Sequence, residues 1–390
     1  MTVFKFSRKK INKSNVIKLL IIIFLITLLI ILMCLYIFNF SFRNFIDLKI
    51  LHKEISNKNT YTIDLDSSFS GNIYAYDKYV VILDKSKLIS YNSSASKVSE
   101  LDINIDTPKF ASNNRFLCVY ENSGNLFYLI SGSNILWQNT IDGSISKVSV
   151  NKNGYVSIIV SGTSYKSVVV TFDSKGNELF KTYLSSTLAV DSQISNDNKY
   201  LSIAEVDYSG LLVNSMIKTI SIENAKTDAS NSLVSTVNSN SNELIVSIAY
   251  QNKNTLSCLY DDCIKLIDII NGSSTDLLKV DKYSFSSVNL KNNVLYVENK
   301  STSIFTSSTL VNIMNIDNNN LSTYTIENGI KDLYSSSEKI AINTGSEIHF
   351  IGINGWLIKI YNSSSEINNV VLADYIAGIV YKNRIELISL

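Results

Sequence analysis

Two histidines, His52 and His349, are all that 390 residues supply. A zinc site built on imidazoles therefore lacks its ligands, and a Ser-His-Asp or Cys-His arrangement would have to run through His349. That residue alternates with Ile348 and Phe350 in "SEIHFIG", which reads as a strand residue with an ordinary partner. Proline occurs once and glycine 14 times, so most turns must be built from Asn, Asp and Ser. No glycine-rich loop follows a strand and opens a helix, which leaves no phosphate cradle. The four cysteines, Cys34, Cys118, Cys258 and Cys263, include no adjacent pair. In "TLSCLYDDCIKL" a two-residue turn at Asp261-Asp262 sets Cys258 opposite Lys265 and Cys263 opposite Tyr260. The two thiols are then diagonal on one face, too far apart for relaxed disulfide geometry, and read as buried free thiols. A calcium loop fails as well. "DINID" aligns Asp102, Asn104 and Asp106, but Thr107 and Asn113 stand where such a loop needs Gly and Glu, and "DNNNLS" at Asp317 fails too. Both read as solvated faces.

Charge is missing altogether from Leu19 to Phe38, "LLIIIFLITLLIILMCLYIF", a run long enough to cross a bilayer core of roughly 30 Å. Lys5, Arg8, Lys9, Lys10, Lys13 and Lys18 precede it without an acidic residue, so positive charge holds the N-terminus in the cytoplasm and places the rest outside. Bulky aromatics in "LYIFNFSFRNF" replace the small-x-small site of a cleaved signal peptide, and Cys34 lacks the small neighbour that lipoprotein processing prefers. The expected layout is a cytoplasmic tail over 1–18, a transmembrane signal anchor over 19–40 bounded by Leu19 and Phe38, a stalk over 41–57 and an extracytoplasmic domain over 58–390. Outside stand 29 Lys and Arg against 34 Asp and Glu, a net of −5. Such a balance gives no basic footprint for nucleic acid or anionic wall polymers.

What the chain has in abundance is one repeated unit. "VVVTFDSKGNELFKTYL", from Val168, is a strand, a polar turn and a second strand. The same shape starts at Lys87, Leu126, Met216, Ile264, Val311, Glu347 and, as a half, at Arg384, at intervals of 36 to 48 residues. Hairpins such as "FASNNRFLCVY" and "VSVNKNGYVSIIV" precede these copies, so one unit is four strands, a to d. Copies of strand b begin near Tyr79, Phe116, Tyr155, Tyr200, Leu256, Val294, Ile340 and Ile376. A period near forty with short strands predicts an all-β propeller of about eight four-stranded blades. Merging two units around "NAKTDASNSLVSTVNSNSNE" would give seven. Leu390 ends the last copy after strand c, while "TYTIDLD", Thr60 to Asp66, is left over at the other end. With Tyr61, Ile63 and Leu65 alternating toward one buried face, this segment is expected to supply the missing outer strand and close the ring.

Gly132-Ser-Asn-Ile-Leu-Trp137 and "INGWLIKIY" around Trp356 resemble the repeats of quinoprotein, or PQQ-like, propellers. The layout of basic tail, single anchor and Asn-rich propeller resembles a domain-of-unknown-function family of membrane-anchored propellers in Firmicutes. The resemblance implies the propeller fold. Its enzymes carry a vicinal disulfide at the quinone, which this chain cannot form, and its cofactor-free relatives are assembly scaffolds in the bacterial envelope. Trp137 and Trp356 are expected to wedge between blades.

Two classes of function follow. The first is a non-catalytic binding or scaffold module, held on the outside of the cytoplasmic membrane by a single pass. It would take a protein or cell-wall partner through loops and the central channel, without cofactor, metal or nucleic acid. The second is a propeller enzyme, either a quinone-dependent dehydrogenase or a carbohydrate-active hydrolase or lyase, the latter needing two carboxylates across a pocket.

Overall fold

The computed structural model describes residues 13–38, 42, 46, 50, 60–66, 69–240, 242–301, 307–327 and 329–390. They belong to two compact units, Met1–Ser56 and Asn57–Leu390. In the first, helix α1 spans Lys13–Phe38. Lys18–Ile37 within it is long and apolar enough to cross a membrane and buries none of its surface. Its hydroxyl-bearing Thr27 donates back to the carbonyls of Ile23 (3.1 Å) and Phe24 (2.8 Å), so the side chain needs no outside partner in an apolar medium. Most of the tail and most of the stalk lie outside the described residues.

The second unit is a ring of eight four-stranded antiparallel sheets. Blades one to seven occupy residues 72–102, 108–140, 144–184, 188–238, 245–279, 286–326 and 332–362, each in the order a-b-c-d. Blade eight combines Asn369–Leu372, Ile376–Val380 and Arg384–Ser389 with Thr60–Asp64, so its outer strand comes from the start of the unit. Every strand a touches the strand a of both neighbours, from blade one around to blade eight and back. The end with the a–b and c–d turns is termed lower; the end with the b–c turns and the links between blades is upper. The stretch that invited a merge of units is a c–d connection of blade four. It carries helix α2, Ile222–Thr227, capped by the Ser221 hydroxyl, and then returns as strand d, Leu233–Asn238.

Each sheet is apolar on both faces because it is buried on both. In strand b of blade three, Val156, Ile158 and Val160 join the cluster shared with blade two, and Ile159 joins the one shared with blade four. Such clusters fill every interface around the ring. Side-chain bonds from one inner strand or its lower turn to the next blade supplement them: Asn151 Nδ2 to Ser195 O (3.1 Å), Gln251 Nε2 to Val288 O (2.8 Å) and the Ser336 hydroxyl to Asp374 (2.7 Å). The scarcity of glycine is met as the composition requires. Asp77, Asn114, Asn198 and Asn292 take positive φ in the a–b turns, where a short polar side chain tolerates the left-handed region. The one proline, Pro108, opens strand a of blade two, where no preceding ladder bond is lost.

Thr60–Asp64, strand β1, pairs antiparallel with Arg384–Ser389, strand c of blade eight, from Thr60↔Ile388 to Asp64↔Arg384. The Leu65 amide adds a bond to the Asn383 carbonyl (2.9 Å). Ile63 is buried, and it and Leu65 belong to the cluster between blades eight and one. Tyr61 departs from the expected buried face and is half exposed, because it sits at the lower end of an outermost strand, beyond the reach of that cluster.

Both ends of the ring lie within residues 60–390, so the propeller should fold without the helix. A protein starting at residue 58 should melt like the full chain. Removing residues 60–66 from it takes away backbone bonds worth about 1 kcal/mol each and uncovers Ile385 and Leu387. The expected loss of several kcal/mol lowers Tm by about 5–10 °C and promotes aggregation. Equal melting of the two proteins in calorimetry would refute closure by β1.

Candidate functional site

The residues that suggested chemistry are spread through the ring and serve it structurally. His349, on strand c of blade seven, lies between the hydroxyl of Tyr324 on blade six (Nδ1, 2.8 Å) and Glu347 (Nε2, 3.0 Å). Burial pushes the Tyr324 phenol up to about 12, so it stays a neutral partner. Asp102 pairs with Lys87 at 2.5 Å, Ile103 and Ile105 turn inward, and Asn104 and Asp106 face solvent. Asp261 does more than turn the chain: it accepts from the Leu244 amide (3.1 Å) and from Lys282 Nζ (3.0 Å). Cys258 stands opposite Lys265 in the register, and Cys118, Cys258 and Cys263 are buried free thiols. Burial raises the first two thiols far above the ordinary range and pushes Cys263 up to about 12. Among the described residues, no three His, Cys, Asp or Glu side chains gather as a metal set. Cys118 packs between blades two and three, and Cys258 and Cys263 between blades four and five, with no two adjacent in sequence, so they do not fit the vicinal pair of the quinoprotein enzymes.

Carboxylates on the inner and second strands act as ties under the upper ends of blades three to five. Asp191, on strand a of blade four, accepts from Lys147 Nζ of blade three (2.9 Å) and from the Ile248 amide of blade five (3.0 Å), linking three blades. Glu205 is wholly buried and accepts from Lys218 Nζ (2.8 Å) and the Thr187 hydroxyl (2.6 Å) through Oε2; its Oε1 has no hydrogen-bond partner among the described residues. Lys265, almost fully buried, bonds both oxygens of Glu243 at 2.9 and 2.7 Å.

The two tryptophans part company. Trp137 wedges between blades two and three: its ring meets Phe127 edge-on at 5.6 Å and lies 6.1 Å from Phe172, and its Nε1 donates to Ser174 O (3.0 Å). A Cβ at Gly176, φ +84°, would fall 2.8 Å from that ring, so the glycine is required. Trp356 is half exposed instead, at the lower c–d turn of blade seven, and makes no aromatic ring contact among the described residues.

Two surfaces stand out from the regular ring. At the upper end of blades three to six, Tyr165 and Tyr183 pack ring to ring at 4.8 Å, and Lys166 Nζ lies 4.2 Å from the Tyr208 ring while donating to Ser186 O (2.9 Å). Beside them Leu211 is fully exposed, Leu212 half exposed, and Tyr283, in the link to blade six, 92% exposed. The equivalent b–c turns of blades one, two and eight are polar: Lys85-Ser86, Asn122–Asn125 and Lys382-Asn383. At the lower end, successive a–b turns present Arg115, Lys152, Lys199 and Lys253, all exposed. Within a mildly acidic total, four cations thus line successive turns of one arc, although acids occur at both ends of the ring. Asp66, Asp106, Asp142, Asp262, Asp281 and Glu366 lie exposed at the upper end.

Cavities are modest. A recess of about 470 Å³ lies at the upper end between blades five and six, bordered by Lys279, Tyr296 and Glu298. Another of about 620 Å³ borders the closing strand at Asp64, Asp66, Asp84 and Tyr91.

Fold and topology define an eight-bladed β-propeller. Its fold neighbours include the C-terminal WD40 domain of Sif2 (14% identity, 84% of this chain and 97% of that one, TM-score 0.55) and Sqt1 from Chaetomium thermophilum (10%, 83% and 97%, 0.51). BamB from Moraxella catarrhalis is also similar (11%, 84% and 96%, 0.49). Residues 51–390 match the model described as a family of unknown function, DUF5711, and the chain belongs to that family. No curated protein is significantly similar to it.

Replacing Lys218 by Met strands the Glu205 charge in the interior and should destabilise by about 3–5 kcal/mol, while the Lys218→Met, Glu205→Leu pair recovers most of the loss; chemical denaturation reads both. The three propeller thiols should resist a maleimide at pH 8, where their raised pKa keeps them protonated and burial shields them, and should all react in denaturant. A thiol that labels at once in the native protein would contradict their burial.

Proposed function

We propose that the chain is a membrane-anchored, extracytoplasmic, non-catalytic scaffold whose upper sector over blades three to six holds a protein partner. The observation that carries this reading is the concentration of exposed Tyr and Leu side chains at the upper ends of blades three and four and in the link before blade six, while the b–c turns of blades one, two, five, seven and eight are polar. Monomeric soluble surfaces rarely collect such a patch, and Tyr anchors give large contact area at low entropy cost. The basic run before the apolar helix supports an N-terminus in the cytoplasm and a propeller outside.

A photocrosslinking residue at Leu211 or Tyr208 in the native membrane should trap one defined protein, and the same residue at Lys382 should not. In wall-stripped cells protease should digest the propeller and spare a tag at residue 2. Crosslinks of equal yield at all three positions would remove the assignment of the sector, and protection of both ends would remove the topology.

A further inference from the structure

We propose that the lower mouth of the ring binds a linear, phosphate-bearing polyanion along the arc of Arg115, Lys152, Lys199 and Lys253. The four residues occupy the same a–b turn in blades two, three, four and five, although 37 to 54 residues separate each from the next in sequence. All four are exposed, and none forms an ion pair with a carboxylate among the described residues, whereas Lys291 of blade six is held by Glu338 at 2.7 Å. The only acid in these four turns is Asp197, which accepts from the Ser195 hydroxyl at 2.8 Å and the Lys199 amide at 3.3 Å. The turns are also fixed relative to one another at the middle of the arc. Asn151 Nδ2 donates to Asn198 Oδ1 (2.6 Å) and Asn153 Nδ2 to Asn196 O (3.0 Å), locking the turn of blade three onto that of blade four.

The geometry selects the shape of the ligand. Packed sheets lie about 10 Å apart, so the cations follow one another at about that spacing, too far for one small ion to bridge the set. A broad anionic surface is disfavoured for a second reason. The neighbouring c–d connections carry Asp173, Glu223, Asp228, Asp268 and Asp317 outside the arc, in excess over Lys175 and Lys226, and Asp173, Asp228 and Asp268 are tied into their own turns, as in Asp173 with the Lys175 and Asn177 amides at 2.8 and 2.9 Å. A flat bilayer or an acidic protein face would meet those carboxylates, while a flexible chain following the inner arc does not. Beyond the arc the a–b turns mix the two signs: Asp77 stands beside Lys78 in blade one, Glu338 is paired with Lys291 at 2.7 Å and followed by Lys339 in blade seven, and Asp374 lies in blade eight. Lys and Arg bind phosphate by charge and directed N–H groups, with the strength set by counterion release.

The inference rests on the reading that the ring lies outside the membrane only for the source of the polymer; the binding itself is tested on residues 58–390, without the helix. Inorganic polyphosphate serves as the probe. At low salt the wild-type ring should bind it, with log Kd against log salt having a slope of magnitude about 3, as neutralising about four charges requires. Replacing the four by Gln (Arg115→Gln, Lys152→Gln, Lys199→Gln, Lys253→Gln) should weaken binding at least about 30-fold and flatten the slope. Lys85→Gln, Lys331→Gln and Lys382→Gln at the upper end should change it less than about twofold. An unchanged melting temperature accompanies a valid result; should the fourfold variant unfold, the single Lys152→Glu and Lys253→Glu variants carry the same comparison. Absence of wild-type binding, or binding that survives these changes, overturns the proposal. So does equal or tighter binding to polyglutamate or to phosphatidylglycerol vesicles, which would assign the arc to an acidic polypeptide or to the bilayer. Loss of the upper-sector crosslink would leave this result untouched.

Discussion

A sheet that is apolar on both faces cannot stand in water, and the rest of this molecule follows from that. Each blade buries its faces only by leaning on two neighbours, and the neighbours have the same need, so the series must return on itself. Val156, Ile158 and Val160 against one blade and Ile159 against the other show the arrangement within a single strand. An open ring would leave the faces of blades one and eight uncovered at Val80, Ile82, Ile376 and Ile385. Closure by a strand from the other end of the unit joins these ends through backbone bonds as well as side chains, so separating them breaks a ladder along its length.

The same burial explains which parts could be read from sequence. Strands b and c are covered on both faces, appear as short apolar runs, and were legible almost to the residue: Tyr79, Phe116 and Tyr200 each open a strand b. Strands a and d have an uncovered side or edge, and their pattern is weaker. Tyr61 shows how: period-2 spacing places it with Ile63 and Leu65, yet only tertiary contact decides whether a neighbour covers it, and at the lower rim none does. Trp137 and Trp356 occupy similar local sequences and have different surroundings for the same reason, since Phe127, Phe172 and Gly176 make the slot for one and no described aromatic meets the other. The lower basic arc was invisible to any scan for charge runs because each cation sits a blade apart in sequence. The fold supplies the adjacency, and net charge averages it away.

Repetition builds the frame; departures from it build the surfaces. The strands are committed to packing, and the turns are left free to vary. At the upper end of blades three and four they become longer and aromatic, as in Tyr208 to Leu212, whereas blades one, five and eight keep short polar turns. At the lower end the variation is small, one charged side chain per turn, but it recurs in register. A propeller thus carries different chemistry at its two ends without altering its core, which agrees with the weak identity to other propellers despite the shared fold.

The buried ions are distributed unevenly too, and this bears on the scaffold reading. Asp191 with Lys147 and the Ile248 amide, Glu205 with Lys218 and Thr187, and Lys265 with Glu243 all lie in blades three to five, below the apolar tips. Pairing buried charges adds little stability over an apolar core of the same volume, so stability alone does not account for their placement. Their effect is geometric. Thr187 is the residue before strand a of blade four and Glu243 belongs to the link before strand a of blade five, so each pair pins an upper connection to the strands beneath it. A loop base held by directed bonds loses less freedom when its tip is covered by a partner, and less of the contact energy is then spent on ordering. The ties therefore support the same sector that the exposed Tyr and Leu side chains mark from above.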